Sequence, residues 1–208
     1  MNTTPYPRET SALVLVDPLN EFLSEDGKIN QMIRPMLDKL DLIASLERLV
    51  AGARAAGLPI VYAPHGLDDH SFDDIKHMHP RLQMAVDGQA FWVGTPGANF
   101  YPSLAPRDGD IVAGRHRMFN AFMGTDLEER LKQRGVERVV LAGLTSQTCV
   151  EGTGRHALEA GYHVTFLTDA VADFTDEAHN AALQVSYPTF GHAALTVDQF
   201  LDGLKQDA

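Results

Sequence analysis

Apolar and β-branched residues gather in six short runs, 12–17, 59–64, 110–114, 138–143, 163–169 and 193–197, and the stretches between them carry helical patterns. The runs predict six strands. Residues 35–56 have helical spacing and stop at Gly57, with Pro59 just beyond as a second stop signal. Thr125-Asp-Leu-Glu128 is a capping-box pattern, opening a helix that closes at Gly135. A helix over 149–160 ends at Gly161, and Thr175 followed by Asp176 and Glu177 marks the acidic start of another. Residues 1–10 read as a polar lead-in. Strands alternating with helices imply a mostly parallel sheet covered on both faces, so the fold class is α/β, a Rossmann-like three-layer sandwich with six strands.

Composition narrows the function classes. A chain of 208 residues that is 44% hydrophobic suits one domain over 1–208, with no linker inside it. A single cysteine cannot form an intrachain disulfide, and neither a signal peptide nor a membrane-length apolar run is evident, so a cytoplasmic setting is expected. The formal charge of −11 argues against nucleic-acid or anionic-membrane surfaces and leaves a small molecule as the expected partner. No Gly-x-Gly-x-x-Gly follows the first strand, where Asp17-Pro-Leu-Asn-Glu-Phe stands instead, so no dinucleotide site is expected and no cofactor is implied.

The chemistry starts from the lone thiol. Cys149 lies where the run 138–143 gives way to a helical pattern, and a thiol at a helix N-terminus meets unpaired N–H groups and the positive end of the helix dipole, which favour the thiolate. In parallel sheets, ligands bind beyond the carboxyl ends of the strands. Asp17 ends the first strand and Arg115 follows the third, so both are expected near Cys149, as an acid/base partner and an electrostatic stabiliser. Gly152 and Gly154, early in the same helix, are expected to mark close packing.

With these residues in view, the chain resembles the isochorismatase-like cysteine hydrolases, among them nicotinamidases and N-carbamoylsarcosine amidohydrolases. The resemblance rests on Leu-Val-Leu-Val-Asp-Pro-Leu-Asn-Glu-Phe (13–22), where Leu19 and Glu21 depart mildly from the family pattern, and on Gly-Thr-Pro-Gly-Ala (94–98). It continues through Phe-Met-Gly-Thr-Asp-Leu (122–127) and is strongest in Gly-Leu-Thr-Ser-Gln-Thr-Cys-Val-Glu-Gly-Thr (143–153). It implies an Asp–Lys–Cys triad that carries over to Asp17 and Cys149. Counting from neighbouring motifs puts Arg115 where relatives have lysine, and a one-residue slip would put His116 there instead. Arginine keeps the positive charge but is effectively never deprotonated.

The resemblance further implies a cis peptide before Thr145, with the N–H groups of Thr145 and Cys149 as the oxyanion hole. The implied activity is hydrolysis of a C–N bond of amide, ureido or carbamoyl type through a thioester. Two alternatives use the same fold: an isochorismate-type vinyl-ether hydrolase with Asp17 as general acid, and a non-catalytic binding protein. Phe22, Trp92, His116, Phe119 and Phe122 are candidates for the substrate pocket, and a homo-oligomer, dimer or tetramer, is implied. Four histidines and four aspartates crowd residues 64–80, but the Asp-Trp-His-Pro of metal-binding relatives is missing. A solvated loop is the plainer reading, and no metal site is assigned.

Overall fold

In the computed structural model, which describes residues 6–204, six parallel strands form one sheet in the order β3-β2-β1-β4-β5-β6. The strands are β1 (Ser11–Val16), β2 (Ile60–Ala63), β3 (Ile111–Val112), β4 (Arg138–Leu144), β5 (His163–Ala172) and β6 (Ala193–Leu195). The helices are α1 (Asn20–Leu23), α2 (Asn30–Leu40), α3 (Leu42–Ala55), α4 (Pro80–Asp87), α5 (Leu127–Gln133), α6 (Glu151–Glu159), α7 (Asp176–Ala181), α8 (Tyr187–Phe190) and α9 (Val197–Leu204). The six predicted runs are the six strands, and the sheet is parallel throughout.

Why the central runs are apolar at every position follows from the two faces. In β1, Leu13 and Leu15 point into a core shared with Leu42, Leu46 and Phe200. Ala12, Val14 and Val16 point into a second core with Leu127, Leu131 and Ala157. A strand with period-two side chains and a helix layer on each side has no polar face to offer.

Local departures have local causes. The expected helix over 35–56 starts earlier and is two helices, because Asp41 takes a left-handed conformation (φ 47°) and its N–H turns back to the carbonyls of Leu37 and Asp38. The capping box does not form: α5 begins two residues after Thr125, whose hydroxyl accepts from Leu127 N, while Asp126 Oδ1 accepts from Gly114 N. Thr175 caps α7 as expected, accepting from Ala178 N at 3.2 Å. Of the polar lead-in, residues 1–5 lie outside the described residues. Tyr6 is buried against Phe200, its hydroxyl 2.9 Å from Thr165 Oγ1. Among the described residues no helix is long and apolar enough to cross a membrane.

Candidate active site

The carboxyl ends of β1, β2 and β4 meet at one crevice, and Asp17 stands at its floor. It follows β1 directly with a left-handed backbone (φ 53°) and is fully buried. Its Oδ1 accepts from His65 N at 2.6 Å and from His116 Nε2 at 2.9 Å. Its Oδ2 is buried with no hydrogen-bond partner. A buried carboxylate oxygen left unpaired is costly, and it leaves one acceptor free for a proton.

His116, rather than Arg115, faces that carboxylate. The chain after β3 continues the parallel pairing with β2, through His116 N to Pro64 O and Gly66 N to His116 O, both 3.0 Å. In extended chain, neighbouring side chains take opposite sides, so a one-residue difference in register decides which residue enters the site. Arg115 turns the other way, packs beside Gly66 and donates to the carbonyls of His65 (2.7 Å) and Ala98 (2.9 Å). The expectation that Arg115 lies against the thiol is corrected accordingly: its guanidinium braces two loops. Burial lowers its pKa, and the charge of Asp17 partly offsets this.

Both ring nitrogens of His116 face acceptors, Nε2 on Asp17 and Nδ1 on Met118 O at 2.8 Å. An imidazolium satisfies both. Burial opposes the charge, but Asp17's charge and hydrogen bond with the two backbone contacts outweigh it, and the His116 pKa is raised. His65 behaves oppositely. Burial, with the neighbouring His116 charge, pushes it down to about 3, so it is neutral. Its ring stacks on Phe91 at 4.5 Å, and its Nδ1 has no partner.

Cys149 sits inside a π-helical turn, Ser146–Val150, that leads into α6. Its Sγ lies 3.9 Å from Met118 O and 3.9 Å from Thr148 Oγ1. The thiol pKa is raised well above its ordinary value, by burial first and then by the negative charge of Asp17, while Thr148 and the Thr145 backbone pull it down. The sequence-based expectation of a stabilised thiolate is therefore reversed for the resting site. Two buried negative charges side by side cost more than the turn's dipoles return. The peptide bond Leu144–Thr145 is cis, at the position the motif implied.

The turn is anchored from behind. Asp173, at the end of β5, accepts from Gln147 N (2.7 Å) and Ser146 Oγ (3.1 Å) through Oδ2 and from Phe174 N (2.9 Å) through Oδ1. His179 Nδ1 lies 3.4 Å from Ser146 Oγ, and Tyr187 donates to Ser146 O at 3.2 Å. Gly152 lets α6 approach: a side chain there would strike the carbonyl of Phe119, and one at Gly154 would strike the Phe166 ring.

Above the thiol opens a cavity of about 550 Å³, with Thr145, Thr148 and Cys149 at its base and Phe22, Phe91, Phe119 and Phe174 in its wall. Phe22 and Phe119 are where the sequence reading expected them. Trp92 and Phe122 are not: Trp92 makes a backbone bridge to Leu67, and Phe122 is buried in the second core, stacked on His156 at 4.7 Å. His116 lies beneath the cavity, on Asp17. Sequence reasoning missed His65 and Phe174, and took Phe91 only as part of an aromatic loop, 83–101, that could line the pocket. One available signal was Glu21, whose departure from the motif has a use: its buried carboxylate accepts from Lys28 N (2.6 Å) and Phe91 N (2.8 Å), ordering the loop that carries the Phe91 wall.

Three histidines of the segment 64–80 have separate local roles. His65 turns into the site, His70 pairs with Asp73 at 2.9 Å, and His79 accepts from Arg81 N at the start of α4. Among the described residues no three His, Cys, Asp or Glu side chains converge as ligands.

A family model described as an isochorismatase domain matches residues 11–198. The chain is 29% identical over 205 residues to the uncharacterized isochorismatase family protein YwoC of Bacillus subtilis, covering 99% of this chain and 100% of that one. It is 30% identical over 200 residues to the ureidoacrylate amidohydrolase RutB of Methylobacterium radiotolerans, covering 88% and 75%. Its fold superposes on a cysteine hydrolase from Pseudomonas syringae pv. phaseolicola with a TM-score of 0.81 over 99% of this chain and 97% of that one, at 21% identity.

Proposed function

The chain belongs to the isochorismatase family of hydrolases, and within that family we propose that it hydrolyses a C–N bond of amide, ureido or carbamoyl type in a small molecule, with Cys149 as nucleophile. One observation carries this reading: the buried carboxylate of Asp17, whose Oδ2 has no other hydrogen-bond partner among the described residues, interacts with a thiol that lines the cavity. The relative named an amidohydrolase supports the bond type.

The thiol and Asp17 act as a pair holding one proton and one negative charge. As substrate enters, Asp17 takes the Cys149 proton, and the charge moves from carboxylate to sulfur. The part of the raised thiol pKa that comes from the carboxylate charge is relieved as the thiolate forms, whereas burial, the larger cause, still opposes the charge on sulfur and is offset by the Thr148 and Thr145 contacts and by the attack itself. Sulfur attacks the carbonyl carbon, and the N–H groups of Thr145 and Cys149 receive the oxyanion. The C–N bond then breaks, Asp17 returns its proton to the leaving nitrogen, and ammonia or an amine departs from a thioester. Water attacks the thioester and gives a proton to Asp17. The C–S bond breaks and the proton returns to sulfur.

His116 supplies the fixed cation. By holding Oδ1 it keeps Oδ2 aimed at the reaction, and its charge stays within reach as negative charge passes to sulfur. Unlike arginine, it can lose that charge as pH rises through its raised pKa.

The test is ammonia release from a panel of primary amides, ureido acids and carbamoyl compounds, with acid-quenched protein analysed by mass spectrometry. An acyl adduct on Cys149, and loss of both signals in Cys149→Ala, is the expected result. Ammonia release that survives Cys149→Ala would sink the thiol mechanism, and cleavage of a vinyl ether by Cys149→Ala but not by Asp17→Asn would replace it with acid catalysis.

A further inference from the structure

We infer that ligands of this cavity, amide substrates on the reading above, carry a single anionic group on an apolar body of aromatic size, and that Arg81 is the residue that selects them. The chain carries a formal charge of −11, yet none of the described residues lining the cavity is Asp or Glu, whereas Lys28 and Arg81 both are among them. Lys28 is already occupied, its ammonium donating to the carbonyls of Gly88 (2.9 Å) and Gln89 (2.7 Å). Arg81 is not. Among the described residues its guanidinium has no carboxylate or carbonyl partner, and it lies over two rings of the wall, 5.7 Å from the centre of Phe119 and 5.5 Å from that of Phe174.

Aromatic faces hold a guanidinium by its plane and leave its N–H edge free to donate, which suits a carboxylate better than any neutral group. Behind that cation the walls are apolar: Ile29, Leu82, Ala85 and the four phenylalanines. Such a lining favours a ring or branched chain between the reacting carbonyl and the anionic end. The neutral His65, buried with a free Nδ1, adds a polar contact without adding charge.

The probes are the monoamide of 1,4-phenylenediacetic acid, its uncharged diamide and the cationic 4-(aminomethyl)phenylacetamide. Binding is measured by calorimetry on the Cys149→Ala protein, so that no turnover is needed. The monoamide anion is expected to bind about tenfold or more tightly than the diamide, and the cation more weakly than either. In Cys149→Ala/Arg81→Met the anion's advantage falls to about twofold or less, and Arg81→Lys restores part of it. Equal binding of anion and diamide, binding of none of the three, or an anion preference that survives Arg81→Met overturns the inference. Ammonia release from the monoamide by the unmodified protein separates the two readings: charge-selective binding without release keeps this inference and counts against amide hydrolysis.

Discussion

Two clusters in this molecule bring a nucleophile-type side chain, a histidine and an aspartate together in the interior, and they are built to opposite ends. Around Cys149, Asp17 keeps one oxygen unpaired among the described residues, the pKa of His116 is raised, and the cavity opens above the sulfur. Around Ser146, both oxygens of Asp173 accept hydrogen bonds, and burial lowers the pKa of His179. Ser146 itself is fully buried. Residue types alone would rate both as catalytic. The difference is satisfaction and access: a fully bonded network rigidifies its surroundings, whereas an unpaired acceptor beside an open cavity is poised to take a proton. The Ser146 cluster holds the turn on which the Cys149 cluster depends.

That contrast can be broken most directly at its nucleophiles. Cys149→Ala should lower kcat/KM on the best amide by about 10⁴-fold or more, while Ser146→Ala should leave most activity and cost about 1–3 kcal/mol of stability, read as a fall in Tm. Comparable losses of activity in the two variants would erase the distinction drawn here.

Asp17→Asn comes next, with an expected fall in kcat of about 10²–10⁴-fold. The same change should move the pH midpoint of Cys149 alkylation downward, because it removes a negative charge that holds the thiol pKa up. Slower hydrolysis with a more acidic thiol is a pairing that simple loss of structure does not produce. A midpoint that stays or rises would contradict the coupling of the two groups.

His116 sharpens the comparison through pH. Its folded pKa is raised above the ordinary 6.5, so the stability and charge it contributes are fully present below pH 6.5 and are lost as pH rises through the folded value. Activity should fall on that alkaline limb, and His116→Lys should carry the limb to higher pH. An unmoved limb would assign the titration to another group. Arg115→Met, by contrast, should act on stability through its two carbonyl contacts and leave the pH profile in place.

At His65 the expected effect is on stability alone. With its folded pKa near 3 and an unfolded value of 6.5, the unfolded chain binds the extra proton between those values, so stability should rise with pH across that window. The slope is at most about 1.4 kcal/mol per pH unit. Chemical denaturation at several pH values on wild type and His65→Gln measures it, and an unchanged slope in the variant would place the buried proton elsewhere.

Much of the architecture was legible because it rests on local chemistry. Runs such as Leu13-Val-Leu-Val16 could only be strands covered on both faces, and Thr175 capped the helix it announced. The signals that failed had competitors. Glu128 paired with Lys132 instead of completing a capping box with Thr125, and Asp41 broke a continuous helical pattern with a left-handed residue that was not glycine. In the site, Asp17 and Cys149 were legible because strand ends at one sheet edge converge. Arg115 and His116 stayed alternatives and His65 was overlooked, because side-chain direction after β2 and β3 depends on inter-strand pairing that no local pattern encodes.

The sequence by itself determined the parallel α/β sheet and the meeting of a carboxylate with a thiol at its carboxyl edge, since periodicity and burial follow from which residues are apolar. Only the tertiary structure decided that His116 is the residue that meets Asp17, that the thiol pKa is raised, and that Arg81 lies over two phenylalanine rings with no carboxylate or carbonyl partner among the described residues. Register, desolvation and the absence of a partner belong to the packed chain, where a shift of one residue turns a side chain to the opposite face and a few ångströms of burial reverse the sign of a pKa shift.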